Sequence, residues 1–97
     1  MNRVAMWGHI YGHVREEERD GQLRLVLNLR VNADDGSSVS TPVRIDGIMA
    51  QYLAETTSLS DGDAFLVMGY LEKDGPVTYV QAIHALPDPV ESWLAES

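Results

Sequence analysis

The sequence LSDGDAFLVMGYLEKDGPVTYVQAIHAL, residues 59–86, decides the fold. Two apolar and β-branched stretches, 64–71 and 77–86, flank a KDGP turn at 73–76 whose glycine can adopt a positive φ. They predict a β-hairpin, and their near-unbroken apolarity predicts burial on both faces, as in a small barrel. Gly69 lies within the first strand, where glycine indicates a bulge, a tight bend or a close backbone approach.

Three further strands are predicted before the hairpin. Residues 3–15 alternate with a period of two, and so does the stretch 23–32, where aliphatic side chains at every second position share one face. A turn sequence at 34–37 leads into a third strand at 39–45, in which Pro42 favours an edge or a bulge. The five aliphatic residues in strict alternation over 23–32 disfavour a helical interpretation.

The remaining segments predict one loop and one helix. Residues 16–21 are charged, end in Asp-Gly and are interpreted as a loop. Asp46 is a candidate N-cap for a short helix over residues 47–57. The predicted buried stripe of this helix consists of Ile48, Met49, Tyr52 and Leu53.

Three strands, a helix and two strands are the element order of a Greek-key barrel of the oligonucleotide/oligosaccharide-binding (OB) type. The predicted fold is therefore all-β: a five-stranded OB barrel over residues 1–87, with one short helix between strands 3 and 4. A mixed α+β sheet is the structural alternative. Residues 88–97 form a short acidic C-terminal tail that carries Trp93 and Leu94.

Composition limits the classes of function. The formal net charge is −8, from 15 acidic and 7 basic residues, so any nucleic-acid site must be a local cluster of cations. The absence of cysteine excludes disulfides and thiolate chemistry. No apolar run approaches the roughly 18 residues that span a bilayer. The N-terminus lacks the apolar core of a signal peptide, which predicts a cytoplasmic protein without membrane contact.

Several short motifs resemble those of one protein family. The motif NRV at 2–4, followed by Gly8, is similar to the start of the bacterial single-stranded-DNA-binding protein (SSB) family and of its relative, primosomal protein PriB. The Gly-Asp turn at 62–63, the hydrophobic strand after it and the GYL motif at 69–71 resemble the same family's turn, strand and Gly-x-Leu. Their order and spacing match over residues 2–86.

The resemblance implies an OB fold, binding of single-stranded DNA (ssDNA) without strong sequence preference, and assembly as dimers or tetramers. The predicted role is in DNA replication, recombination or repair. By an ungapped count from Gly47, Ser40 and Asp46 occupy positions at which SSB proteins carry a base-stacking Trp and a second aromatic. The family's long linker and acidic tip are replaced by the tail at 88–97, a candidate contact for replication or phage proteins.

Binding of single strands requires aromatic surfaces for the bases and cations for the phosphates. Arg24 and Arg30 occupy outward-facing positions of the second strand, and Arg44 lies on the third. The predicted nucleic-acid-binding residues are Arg24, Arg30, Arg44, Arg15, Lys73, Trp7, Tyr11, Tyr70 and Tyr79. If counterion release drives binding, added salt will weaken it steeply. Alternatively, the arginines are ordinary solubilising charges offset by neighbouring acids.

One face of the first strand, formed by Trp7, His9, Tyr11 and His13, has three interpretations: base stacking, metal binding or a subunit interface. Metal binding is disfavoured because the two histidines are four strand residues apart, about 13 Å, too far to share an ion. The resemblance and the enrichment of aromatics at interfaces favour the subunit contact. The predicted interface residues are Arg3, Trp7, His9 and Tyr11.

An OB-type protein-interaction module is the alternative function. In that case Trp7 and Tyr11, or Trp93 of the tail, would contact a protein partner. Catalysis is not expected, because no Ser/His/Asp set, phosphate-binding glycine loop or metal-ligand cluster is evident. No cofactor is expected either. His84 is interpreted as a partly buried strand residue.

Overall fold

The computed structural model describes residues 2–87. The tail at 88–97, with Trp93 and Leu94, lies outside the described residues. Within residues 2–87 the elements are β1 (Arg3–Ile10), β2 (Arg15–Arg19), β3 (Gln22–Asn32), β4 (Ser38–Asp46), α1 (Gly47–Thr56), β5 (Ala64–Asp74) and β6 (Val77–Pro87).

Five of these strands form a closed barrel. β1 pairs with β5, β5 with β6 and β3 with β4, all antiparallel, whereas β4 and β6 pair in parallel. Two residue pairs, His9 with Arg30 and Ile10 with Leu29, join β1 to β3 and close the ring. The predicted five-stranded barrel, with a helix between its third and fourth strands, is confirmed.

β2 lies outside this ring as a hairpin partner of β3. The interpretation of residues 16–21 as a loop is therefore wrong, since Arg15–Arg19 pair with residues 22–26. The turn between the strands consists of Asp20 at φ 53° and Gly21 at φ 78°. Positive φ at both positions gives a primed turn, whose twist matches that of the flanking strands. The Asp-Gly pair was the available signal, but five charged side chains in a row concealed the strand.

Alternate side chains of the barrel strands fill the interior. On β3, Leu25, Leu27 and Leu29 are buried, while the residues between them face outward. The alternation predicted for the first and second strands is confirmed, although β1 ends at Ile10 rather than continuing to residue 15. The core consists of Ile10, Leu25, Leu27, Leu29, Val43, Ile45, Ala50, Leu53, Phe65, Val67, Val80 and Ala82.

α1 packs against β3 and β4 through a narrower face than predicted. Ala50 and Leu53 are buried, whereas Ile48 is 87% exposed and Tyr52 is 62% exposed. The predicted stripe is therefore wrong for Ile48 and Tyr52. Only one side of this short helix packs against the barrel. Ala50 and Leu53, three residues apart, lie on that side and make up its buried face.

The β5–β6 hairpin is buried on one face only. Phe65, Val67 and Val80 point into the core, but Met68 and Ile83 are exposed. The prediction of burial on both faces is wrong, because a barrel of one sheet covers only its inward side chains and no second layer lies outside among residues 2–87. His84 is also exposed rather than partly buried.

Gly69 marks the irregularity predicted within β5. The register shifts there: Met68 pairs with His84 and Gly69 with Ala82, which leaves Ile83 as the extra residue of a bulge. A Cβ atom on Gly69 would collide with the carbonyl oxygen of Gln81 on β6. The glycine therefore permits a close backbone approach that no other residue allows.

We expect Gly69→Ala to lower the free energy of unfolding by about 1–3 kcal/mol, the range for overpacked sites, because β5 and β6 must separate to admit the methyl group. Urea-induced unfolding followed by tryptophan fluorescence measures this change. Lys73→Ala, an exposed position on the same strand, is the control and should change stability by less than about 0.5 kcal/mol. Equal stability of Gly69→Ala and the wild type would contradict the close approach.

Candidate nucleic-acid interface

A groove crosses the outer face of β2, β3 and β4. Its volume is about 270 Å³, and it is lined by His13, Arg15, Glu17, Arg19, Arg24, Val26, Asn28, Pro42, Arg44 and Val77. Four of the seven basic residues of the chain thus line one surface, together with a single acid. The alternation of β3 and the register of its two neighbours bring these side chains to the same side of the sheet.

Arg24 is held within the groove by Asp46. Its Nε and Nη2 donate to the two carboxylate oxygens of Asp46 at 2.5 and 3.0 Å, and Gln81 Nε2 donates to the same carboxylate at 3.0 Å. The hydrogen bond from Arg24 holds the pKa of Asp46 below its usual value, although burial opposes the shift. Asp46 is the N-cap residue of α1, as predicted, although its side chain makes no capping hydrogen bond. Most of the charge of Arg24 is therefore compensated internally.

Arg44 covers the ring of Tyr79. The guanidinium carbon lies 3.8 Å from the ring centroid, and Nη2 donates to Asp74 Oδ2 at 3.2 Å. Tyr79 is only 8% exposed, and its hydroxyl donates to Glu72 at 3.0 Å. Burial raises the pKa of this hydroxyl, and the hydrogen bond to Glu72 adds to the shift. The ring of Tyr79 is consequently no exposed stacking surface, whereas Arg44 faces the groove.

A second arginine–tyrosine contact lies farther along β3. The guanidinium carbon of Arg30 is 3.7 Å from the ring centroid of Tyr11, which is half exposed. Arg30 Nε is buried and has no hydrogen-bond partner among the described residues. Arg30 lies on the same outward face of β3 as Arg24, three alternate positions away. The predicted pair Arg24 and Arg30 therefore share a face, but their surroundings differ.

The remaining predicted cations are distributed unevenly. Arg15 lines the groove with an exposed side chain, and its contact with Glu17 is long at 3.8 Å. Lys73 is exposed on β5 and does not line the groove. Arg19 was not among the predicted residues, yet it lines the groove and has no ion pair within residues 2–87. The Asp-Gly turn after it was the signal that could have placed it on a strand beside Arg24.

A larger and more apolar depression lies on the outer face of β1, β5 and β6. Its volume is about 630 Å³, and it is lined by Arg3, Val4, Ala5, Met68, Gly69, Tyr70, Ile83 and His84. Arg3 lies 5.9 Å from the Tyr70 ring centroid. Trp7, 49% exposed, contacts the ring of His9 edge-on on the same strand. Of the predicted base-stacking residues, Trp7 and Tyr70 thus belong to this face and not to the groove.

Neither surface has the donors of a metal site. Within residues 2–87, no three His, Asp or Glu side chains are placed to hold one metal ion. The one helix described there, α1, has 10 residues, and no helix of this part of the chain is long and apolar enough to cross a membrane. The groove is the better candidate for nucleic acid because it gathers four cations, whereas the depression carries one.

Solved structures with the same fold come from two related groups of proteins. The second single-stranded DNA binding protein of Mycobacterium smegmatis, SSBb, matches with a TM-score of 0.79 at 20% sequence identity, over 93% of this chain and 91% of that chain. The N-terminal domain of PriB from Thermoanaerobacter tencongensis matches with a TM-score of 0.74 at 19% identity, over 89% and 94% of the two chains. The fold is that of the SSB and PriB proteins.

A third SSB structure agrees. The single-stranded DNA binding protein of Thermus aquaticus matches this OB barrel with a TM-score of 0.76 at 25% identity, over 90% of this chain and 40% of that chain. The present chain therefore spans less than half of the Thermus protein. No family model and no curated protein sequence matches the chain. The three neighbours are named as single-stranded DNA binding or PriB proteins.

Asp46→Asn tests the contact with Arg24 through pH. Because the folded-state pKa of Asp46 is lowered, the contact stabilises the fold above the carboxyl's unfolded pKa and is lost as the pH falls through the folded one. We expect Asp46→Asn to lower the free energy of unfolding at neutral pH by about 1 kcal/mol, since the Arg24 side chain is largely, but not fully, buried and the carboxylate is partly exposed. The deficit should shrink as the pH falls below about 4.

Urea unfolding midpoints measured from neutral to acidic pH check this expectation. Glu18→Gln, an exposed position on β2 with no ion pair within residues 2–87, is the control and should follow the wild type throughout. A deficit in Asp46→Asn that stays constant with pH would contradict an electrostatic role of the carboxylate.

Proposed function

We propose that this protein binds single-stranded DNA through the groove on β2, β3 and β4, largely without regard to base sequence. Its role would lie in DNA replication, recombination or repair. The observation that carries the proposal is the convergence of Arg15, Arg19, Arg24 and Arg44 on one groove in a chain whose formal net charge is −8. Neighbours of the same fold named as single-stranded DNA binding proteins support it.

Arg15 and Arg19 are the groove arginines best suited to phosphates. Both lie on β2, whose side chains are all exposed. An exposed ion pair as long as that of Arg15 with Glu17, 3.8 Å, contributes little and can be exchanged for a phosphate. Arg24 and Arg44 have carboxylate partners in shorter contacts. For this reason we assign the contacts with the DNA phosphates to Arg15 and Arg19 of β2.

Fluorescence anisotropy of a labelled oligo(dT) of ~30 nucleotides, about two OB-fold sites, measures the binding. We expect saturable binding that weakens as salt rises. Arg19→Ala should weaken the binding and reduce the slope of log K against log salt by about 0.7, the value for one phosphate contact on a single strand. Lys73→Ala removes the same charge from β5, outside the groove, and should leave the slope unchanged.

The same titration separates the two candidate functions. Binding of the wild type at micromolar protein in low salt is the result expected of an ssDNA-binding protein. No binding under those conditions would overturn the proposal and favour the protein-interaction module. Equal effects of Arg19→Ala and Lys73→Ala would place the site elsewhere. Contacts of residues 88–97 with replication or phage proteins stay a prediction.

We further propose that the protein is a homodimer whose interface includes β1. Only His9 and Ile10 of β1 pair with β3, so within residues 2–87 the rest of that edge has no ladder partner. The outer face beside it is apolar and exposed at Trp7, Met68 and Ile83. Exposed patches of this kind mark contact sites. The PriB domain of Thermoanaerobacter tencongensis has a dimeric structure, which supports the same state here.

The predicted interface residues divide between two surfaces. Arg3, Trp7 and His9 lie on the exposed face of β1, where a second copy would cover them. Tyr11 follows the strand and lies against Arg30. We therefore assign Arg3, Trp7 and His9 to the interface and Tyr11 to the face that carries the groove.

Trp7→Glu tests the interface. A carboxylate buried against an apolar partner surface is unfavourable, so the variant should be monomeric at micromolar concentration where the wild type is dimeric. Size-exclusion chromatography with light scattering measures the mass. Tyr52→Glu replaces another exposed aromatic residue, on α1, and should remain dimeric. A monomeric wild type would rule out the proposed dimer, and loss of the dimer in both variants would exclude β1 as its specific site.

A further inference from the structure

On the outer face of β3 and β4, two arginines each lie over a tyrosine ring. The guanidinium of Arg44 lies over Tyr79 at 3.8 Å and that of Arg30 lies over Tyr11 at 3.7 Å. Both distances are those of van der Waals contact. One side of each guanidinium is thus occupied by a ring, and its other side faces away from that ring.

The Arg44 stack is held from several sides. Tyr79 is fixed beneath it by burial and by the hydrogen bond from its hydroxyl to Glu72 at 3.0 Å. Asp74 accepts from Nη2 of Arg44 at 3.2 Å. This carboxylate offsets the charge that a phosphate would otherwise attract. What Arg44 offers to the groove is therefore chiefly its planar surface.

The Arg30 stack lies on the same side of the sheet. Arg44 pairs with Val26 and Arg30 with Ser40, and between these two pairs lies one further outward pair, Asn28 with Pro42. The two stacks are therefore separated by about 13 Å along β3, four residues at the rise of a strand. Asn28 and Pro42, the outward pair between the stacks, line the groove.

We propose that Arg44 and Arg30 each bind a nucleobase by stacking, so that the guanidinium lies between a tyrosine ring and the base. A guanidinium is planar, delocalised and weakly hydrated, and nucleobases stack on it as they do on aromatic rings. The inference rests on the proposed function of the groove. It assigns base contacts to Arg44 and Arg30, and it leaves the phosphates to Arg15 and Arg19 on β2.

Arginine-to-lysine substitutions test this assignment, because lysine keeps the charge but lacks the planar surface. The probes are a labelled ~16-nucleotide oligo(dT), the upper site size of one OB fold, and an abasic oligomer with the same number of phosphates. Arg44→Lys and Arg30→Lys should each lower oligo(dT) affinity about 5-fold or more, the effect of one lost stack. Affinity for the abasic oligomer and the salt slope should stay at wild-type values.

Arg19→Lys is the matched control and should leave the ratio of the two affinities unchanged, since a phosphate contact needs only the charge. A second measurement uses the wild type alone. The guanidinium proton resonances of Arg44 and Arg30 should shift upfield on binding oligo(dT), through the ring current of a stacked base, and should not shift upfield with the abasic oligomer. Arg30→Lys is informative even if Arg44→Lys fails to fold, because Tyr11 beneath it is half exposed.

Each other outcome overturns a defined part of the argument. If the lysine variants lose affinity for both oligomers equally, the two arginines contact phosphates and the stacking inference is wrong, while the proposed function stands. If neither affinity changes, no base stacks on the two arginines; the stacking inference is then also wrong, and the proposed function again stands. If the wild type binds neither oligomer, the proposed function fails and the inference fails with it.

Discussion

The close approach of β1 to β3 at Gly8 is the constraint on which this barrel depends. A Cβ atom at Gly8 would collide with the carbonyl oxygen of Arg30, so a larger residue would hold the two strands apart. Two residue pairs directly after it close the ring, and they place Ile10 in the core. Two backbone hydrogen bonds hold the chain in place after β1: Tyr11 N–H donates to the Asn28 carbonyl at 2.9 Å, and Gly62 N–H donates to the Ile10 carbonyl at 2.7 Å. The same closure brings the ring of Tyr11 beneath Arg30.

Much of this fold could be predicted from local patterns, and the exceptions have physical causes. The strict alternation of leucines on β3 predicted both the strand and its buried face, because a period of two fits no helix. β2 was not predicted because it has no alternating apolar side chains. It forms a strand because the turn at 20–21 brings it beside β3, with which it pairs. The exposed positions of Ile48 and Tyr52 depend on how much of α1 the barrel covers, which no local pattern encodes.

The sequence predicted which arginines of the candidate site share a face of the sheet, but not which carboxylates they contact. The alternation of side chains along β3 correctly predicted that Arg24 and Arg30 face outward. However, the carboxylate that binds Arg24 is 22 residues away in the sequence, and the one that binds Arg44 is 30 residues away. Only the folded register brings those carboxylates beside the arginines. As a result, an acidic chain carries an arginine-rich groove in which much of the charge is already compensated. If it binds nucleic acid as proposed, such a surface would gain less from phosphates, and would depend more on planar contacts, than the number of its arginines suggests.

Within residues 2–87, the free edges of β2 and β1 differ in chemistry. β2 ends the sheet with five exposed charged residues, REEER, and three like charges in succession discourage a further strand from pairing there. β1 presents an edge beside apolar side chains and has no such protection within residues 2–87. In the proposed dimer, β1 would meet β1 in a twofold contact that consumes the open edge of both copies. Such a contact would close at two subunits and would leave no β1 edge from which a filament could grow.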